Sequence, residues 1–304
     1  MSLKIWLMTM GLVVSLGSVT YSATYDPPLF HQIIGGETEY IVKPGDFLIA
    51  IAGYFRSNWR YLARINELKD PDFIVPGQHL CICNRHIVPN VVNEGFVINL
   101  PERMAYYFEK GELRKCCSLA IGRPNWPTPI GIYNIIFKEK DPVWYVPKSI
   151  QDEMRREGQM VKTRVPPGLD NPLGRYRFRL SRPIYSIHAT IWPSSIGQPL
   201  SHGCIRMLTD DIEELYYKIK IGTMVKIIYQ PVKMAITDEG KIYLEVHPDV
   251  YRRGIRPLSI IQSLAASKSL ETYLDWEMVS QVIREKAGVA INVGKIRDRF
   301  CSLQ

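Results

Sequence analysis

Apolar positions change period along the chain, and the changes divide it. Between residues 39 and 83, "EYIVKPGD" reads as a short strand ended by a Pro-Gly turn. "FLIAIAGYF" then puts Leu48, Ile51 and Ala52 on one helical face, with Asp46 as the expected cap. "NWRYLARIN" repeats the helical spacing with Tyr61, Leu62 and Ile65, and "DPDFIVPGQHLCI" adds turns and a closing strand. The stretch is predicted to be a small βααβ unit. At this size most of its apolar positions are needed simply to fold it.

From 95 to 231 the pattern shifts to strands. "GFVINLPERMAYYFEKGELRKCCSLAIG" places short apolar runs on either side of "EKGE", a hairpin signature. "GIYNIIFK", "RYRFRLS", "PIYSIHA" and "TMVKIIY" follow, separated by Pro- and Gly-rich turns. One helix interrupts them: "TDDIEELYYKI" has Asp210 and Glu213 at capping-box spacing and Ile212, Leu215, Tyr216 and Ile219 in one stripe. Mostly strands with few helices predicts a β-sandwich or barrel. An insertion at 141–174 has the composition of a surface excursion or an active-site lid, with Ser149 and Asp152 opening a short basic helix. After 231 the pattern reads as a partly helical extension, in which "DWEMVSQVIREK" carries Trp276, Val279 and Ile283 on an apolar face.

Composition changes little in this picture. An apolar fraction of 46% and a charged fraction of 22% are those of a globular protein. A formal charge of +8 favours an anionic partner. No basic tract or aromatic-basic signature accompanies it, so nucleic acid is not an expected partner.

The first residues change more. Lys4, the apolar run "IWLMTMGLVVSLGSV" and small residues in "TYSA" read as a secretory signal peptide at 1–23. The run is short for a membrane-spanning helix. Export in turn makes the cysteines informative, because free thiols are less expected outside a reducing compartment. There are six: Cys81, Cys83, Cys116, Cys117, Cys204 and Cys301. Cys81 and Cys83, with His79 and His86 nearby, lack a zinc-site spacing, and no metal is expected there.

Cys204 stands apart, in "SHGCIRM". A thiol is mainly protonated at neutral pH and needs a base to become a nucleophile. His202 is two positions away, and His188 in "YSIHAT" ends a separate strand from which it can approach the sulfur. Gly203 permits close backbone approach, and amides around Gly203 and Cys204 are candidates to hold an oxyanion. Alone, one cysteine or one histidine is more often a packing residue. Together they point to a cysteine nucleophile with a histidine base.

Two resemblances sharpen this. "YIVKPGDFLIAIA" and "LARINELKDPDFIVPGQHL" resemble a LysM peptidoglycan-binding module, with Phe47 where members usually carry Thr or Ser. "IHAT" and "SHGCIR", with "PTPIGIYNI", "DNPLGRYRF" and "IGTMVKI", resemble the catalytic domain of YkuD-type L,D-transpeptidases over nearly all of 95–231. The domain order resembles the ErfK/YbiS-like arrangement.

The resemblance implies a YkuD-like, mainly β-sandwich catalytic domain and needs no metal or organic cofactor. It implies Cys204 as nucleophile, His188 as general base and His202 and Gly203 at the oxyanion site. It also implies Arg206 and Ser201 as substrate-side residues, Arg206 for a carboxylate and Ser201 as support for the turn. Ala189 replaces the usual Gly, leaving its carbonyl able to orient the His188 ring. The implied partners are stem peptides and glycan strands of peptidoglycan, with an outer-membrane lipoprotein as an alternative acceptor, in the periplasm. Two rival readings are a cysteine carboxypeptidase that hydrolyses stems and a noncatalytic LysM wall-binding protein.

Overall fold

The computed structural model describes residues 28–296 except 90 and 183, so the signal-peptide segment and Cys301 lie outside the described residues. Glu37–Ile41 pairs antiparallel with His79–Cys83, and helices Leu48–Tyr54 and Trp59–Ile65 lie between them in sequence. Leu48, Ile51, Ala52, Leu62, Leu80 and Ile82 form the core of this βααβ unit. Asp46 does not cap the first helix. Its carboxylate instead accepts from Lys43 N–H at 2.7 Å and from the Tyr40 hydroxyl at 2.8 Å, bracing the turn before it.

A nine-stranded sheet forms the centre. Starting from Glu112–Gly122, its neighbours run Ile205–Met207, Ser186–Ala189, Tyr176–Leu180, Gly131–Lys140, Met224–Ile228, Glu94–Asn99 and Met104–Glu109. The last pairs back onto Glu112–Gly122, so the sheet closes into a barrel, with Pro199–Ser201 added at one side. Closure removes the exposed edges an open sheet would present. The hairpin turn falls at Lys110 and Gly111, both with positive φ, as a tight two-residue connection requires.

Strand alternation explains what fills the barrel. Tyr176, Phe178 and Leu180 point into the core with Ile187, Ala189, Ile205 and Met207, while Arg177 and Arg179 point out. Helix Thr209–Lys218 adds Ile212 and Leu215 to the same core. Its expected capping box is absent: the N-cap is Leu208, which places Asp210 and Glu213 inside the helix.

The C-terminal stretch is more than a helical extension. Val232–Ile236, Lys241–Val246 and Ile291–Lys295 form a sheet with Leu29–Phe30, covered by helices Pro257–Ser267 and Trp276–Glu285. Asp275 caps the second helix by accepting from the amides of Glu277 and Met278. Where the three units meet, Lys233 is fully buried between Glu102 at 2.8 Å and Glu245 at 3.1 Å. His86 lies 3.0 Å from Glu245 and 3.4 Å from Glu102. Two carboxylates thus face two cations. On the surface, Arg64 reaches from the βααβ unit to Glu285 in a two-point ion pair.

Candidate active site

Strand register sets out the site. Arg177 pairs with His188 across antiparallel strands, and His188 pairs with Arg206 across parallel ones. Cross-strand partners share a face, so all three project from the same side of the sheet. Arg179 and Ser186 form the next row, and the Ser186 hydroxyl lies 3.6 Å from Cys204 Sγ. Cys204 immediately precedes Ile205, whose partner is Ile187. The thiol therefore stands one row from His188, on the face where both line one cavity.

His188 is buried, and its Nδ1–H donates to the Ala189 carbonyl at 2.6 Å. That bond fixes the tautomer and leaves Nε2 without a proton. Burial, together with the Arg206 and Arg177 guanidiniums and against the pull of the Ala189 and Leu173 carbonyls, lowers the His188 pKa to about 3. The ring is neutral across the physiological range. Arg206 itself lies over the Trp192 ring, 5.3 Å from its centroid, so an aromatic face and the cavity hold its orientation. Burial pulls its pKa down while the neighbouring Cys204 opposes the shift.

The turn carrying Cys204 is held by its own hydrogen bonds. Ser201 is buried, donates to the Cys204 carbonyl and accepts from Gly203 N–H at 3.1 Å. Its hydroxyl is thus spent on the turn rather than on a substrate. The Gly203 amide is spent too, whereas the His202 and Cys204 amides have no protein acceptor at this turn among the described residues. Gly203 is required sterically. It has φ +98°, and a Cβ there would lie 2.7 Å from the Tyr185 ring. From below, Thr128 donates to the Gly203 carbonyl at 2.9 Å, and Tyr251 of the C-terminal stretch bonds Thr128 N–H and the Gly122 carbonyl. The C-terminal unit thereby braces the turn.

The His202 ring is engaged by Glu153 of the insertion and by Arg123. Its Nε2 lies 2.8 Å from both Glu153 and Arg123, and Arg123 also donates to Glu153 at 2.7 Å. With Nε2 unprotonated the ring accepts from Arg123, and with Nε2 protonated it donates to Glu153. Burial and Arg123 lower its pKa against the pull of Glu153. Glu153 belongs to helix Lys148–Arg156, which buries none of its own residues. That helix is held over the site by polar contacts.

Beneath it is a cavity of about 1010 Å³, lined by Trp144, Tyr145, Met154, Trp192, Tyr185 and the polar row. The insertion is a lid. Sequence reasoning missed Arg177, Glu153, Arg123 and Tyr185. For Arg177 a signal existed, since "RYRFRL" alternates and puts it on the outward face of a strand beside that of His188.

The five cysteines among the described residues are all free. Burial raises the Cys116 pKa to about 12 and Cys117 well above the ordinary thiol value. Neither is a ready nucleophile.

The YkuD L,D-transpeptidase catalytic-domain family matches residues 93–227, and the LysM-domain family matches 40–82. The chain is similar to the Probable L,D-transpeptidase YbiS of Escherichia coli, 30% identical over 94% of this chain and 95% of that one. It is 32% identical to the Probable L,D-transpeptidase ErfK/SrfK of Salmonella typhimurium, over 71% of this chain and 72% of that one. The NMR structure of the catalytic domain from the E. faecium L,D-transpeptidase aligns with 45% of this chain and 98% of that one, at 21% identity and TM-score 0.36. The chain belongs to the YkuD-type L,D-transpeptidase family and carries a LysM domain ahead of its catalytic domain.

Proposed function

We propose that the chain is a periplasmic L,D-transpeptidase in which Cys204 is the nucleophile and His188 the base, acting on tetrapeptide stems of peptidoglycan. The observation that carries this reading is the cross-strand row Arg177–His188–Arg206 beside Cys204, inside one roofed cavity. Nε2 of His188 takes the thiol proton as sulfur attacks the carbonyl of stem residue three. The developing oxyanion faces the Cys204 amide. Collapse breaks the amide bond, the proton returns through His188 to the leaving D-alanine, and a thioester remains. An acceptor amine then attacks the thioester, gives its proton to His188 and expels the thiolate. A neutral His188 can accept the proton in both steps, and Arg177 and Arg206 suit a stem carboxylate.

The acceptor amine belongs to a second stem, forming a 3→3 cross-link, or to a lipoprotein lysine. The LysM unit at 39–83 raises the local concentration of stems by holding glycan strands, and the catalytic unit spans 95–231. Mass spectrometry of disaccharide-tetrapeptide incubated with the protein tests the reaction. Cross-linked dimers support transfer. Tripeptide with no dimer, even with added amine acceptor, would make the enzyme a carboxypeptidase.

A further inference from the structure

A second cavity, of about 380 Å³, lies at the junction of the three units and shares none of its lining with the cavity at Cys204. Arg56 and Arg60 line it from the LysM unit, Arg56 also lining a separate cavity with Cys116 and Asp211, and Arg103 lines it from the barrel. Among the described residues none of these guanidiniums has an ion-pair or side-chain hydrogen-bond partner. Arg60 stacks on Trp59 at 4.3 Å, which orients it without neutralising it. Arg103 is partly buried, and its Nε is shut off from solvent with no acceptor.

Glu102 is the one carboxylate on the cavity wall. It is already committed to Lys233, Asn99, Tyr106 and His86. His86 in turn faces Glu245 and the Arg56 carbonyl, and His247 donates to Glu245. The local charge cluster balances without the arginines. Leaving the shielded Arg103 guanidinium without an acceptor is costly, and the half-buried Arg56 and exposed Arg60 add two further unpaired positive charges at the same cavity.

We propose that this junction cavity is a binding site for an oxyanion, a carboxylate or phosphate group, held by Arg56, Arg60 and Arg103. Planar guanidiniums match both groups with paired N–H donors. Its walls come from the LysM unit, from Ile196–Pro199 just ahead of the SHGC turn, and from the C-terminal unit. A bound anion would therefore tie the wall-binding module to the segment that leads into Cys204. The ligand source is a stem-peptide carboxylate or a phosphate, and the chemistry of recognition is the same.

Phenylglyoxal modification of the full-length native protein, mapped by peptide mass spectrometry, tests this residue by residue. It is run with inorganic phosphate, with disaccharide-tetrapeptide, or with sodium chloride at matched ionic strength. The site predicts slower modification at Arg56, Arg60 and Arg103, about tenfold at nine times the Kd, while exposed Arg114 and Arg175 react unchanged. Protection by phosphate alone names a phosphate ligand, and protection by the muropeptide names a carboxylate. Neither probe protecting at millimolar concentration would overturn the proposal, as would sodium chloride protecting equally. An Arg103→Met chain that melts like the parent should lose the protection at Arg56 and Arg60, and protection that persists in it would also overturn the three-arginine site.

Discussion

Replacing Lys233 by methionine tests the charge cluster that joins the three units. The ammonium is fully buried, bonds the Ile87 carbonyl, and lies 2.8 and 3.1 Å from Glu102 and Glu245. Methionine keeps the stem of the side chain and removes the charge, leaving two buried carboxylates with His86 as their raised-pKa cation and otherwise only neutral donors such as Asn99, Tyr106 and His247. Breaking a buried ion pair from one side costs about 3–5 kcal/mol. At roughly 2–4 °C per kcal/mol for a chain of this class, the melting temperature should fall by roughly 6–20 °C. Tryptophan fluorescence during heating gives the reading. Glu102→Gln added to Lys233→Met restores one anion against one cation and should recover about half of the loss.

The same cluster predicts a basic limit. Burial pushes the His86 pKa down, but Glu245 and the hydrogen bonds to both carboxylates outweigh it and lift the value to about 9. The folded pKa lies above the unfolded value of about 6.5, so the contribution is whole below pH 6.5 and is lost as pH rises through 9. A Lys233→Met chain melting within about 1 °C of the parent would refute the reasoning, since that is the scale of an ordinary surface change.

Other expectations follow from single contacts. Because burial lowers the His188 pKa to about 3, kcat/KM for tetrapeptide should show no acid limb at pH 6–7, and a limb centred at 6.5 that disappears in His188→Ala would contradict the lowered pKa. Glu153→Gln should loosen the lid, and backbone exchange of 148–156 should quicken about tenfold for the loss of charged bonds to Arg123 and His202. Unchanged exchange would show that the helix is held by something else. Gly203→Ala meets both the Tyr185 ring and φ +98°, so it should abolish transfer and cost about 1–3 kcal/mol of stability. An active, normally melting variant would remove the steric argument.

Local chemistry made much of this fold legible. Helical spacing in 47–66 and the Lys110–Gly111 turn are signals carried by adjacent residues, and both elements form. The C-terminal sheet was not legible, because Leu29–Phe30 pairs with Met234 and Ala235 some two hundred residues away. Lys233 and Glu245 there look like outward polar positions, yet each is buried because the other units cover that face. Cys204 and His188 announced themselves through their surroundings in sequence. Glu153 and Arg123 did not, since their meaning lies in a contact with His202 that only the folded lid creates. Asp46 and Asp210 fit helix-cap rules but serve otherwise, one as a turn brace and the other as a first-turn residue.

Everything in the proposed reaction depends on Cys204 carrying the acyl group. Intact-protein mass spectrometry after brief mixing with disaccharide-tetrapeptide, acid-quenched before an acceptor is added, reads this directly. The account predicts an adduct equal to the muropeptide less alanine, mapped to the Cys204 peptide, discharged by amine and absent from a folded Cys204→Ala chain. A carbapenem should block the same sulfur. An adduct of either kind that persists in Cys204→Ala, or transfer continuing without the thiol, would contradict it.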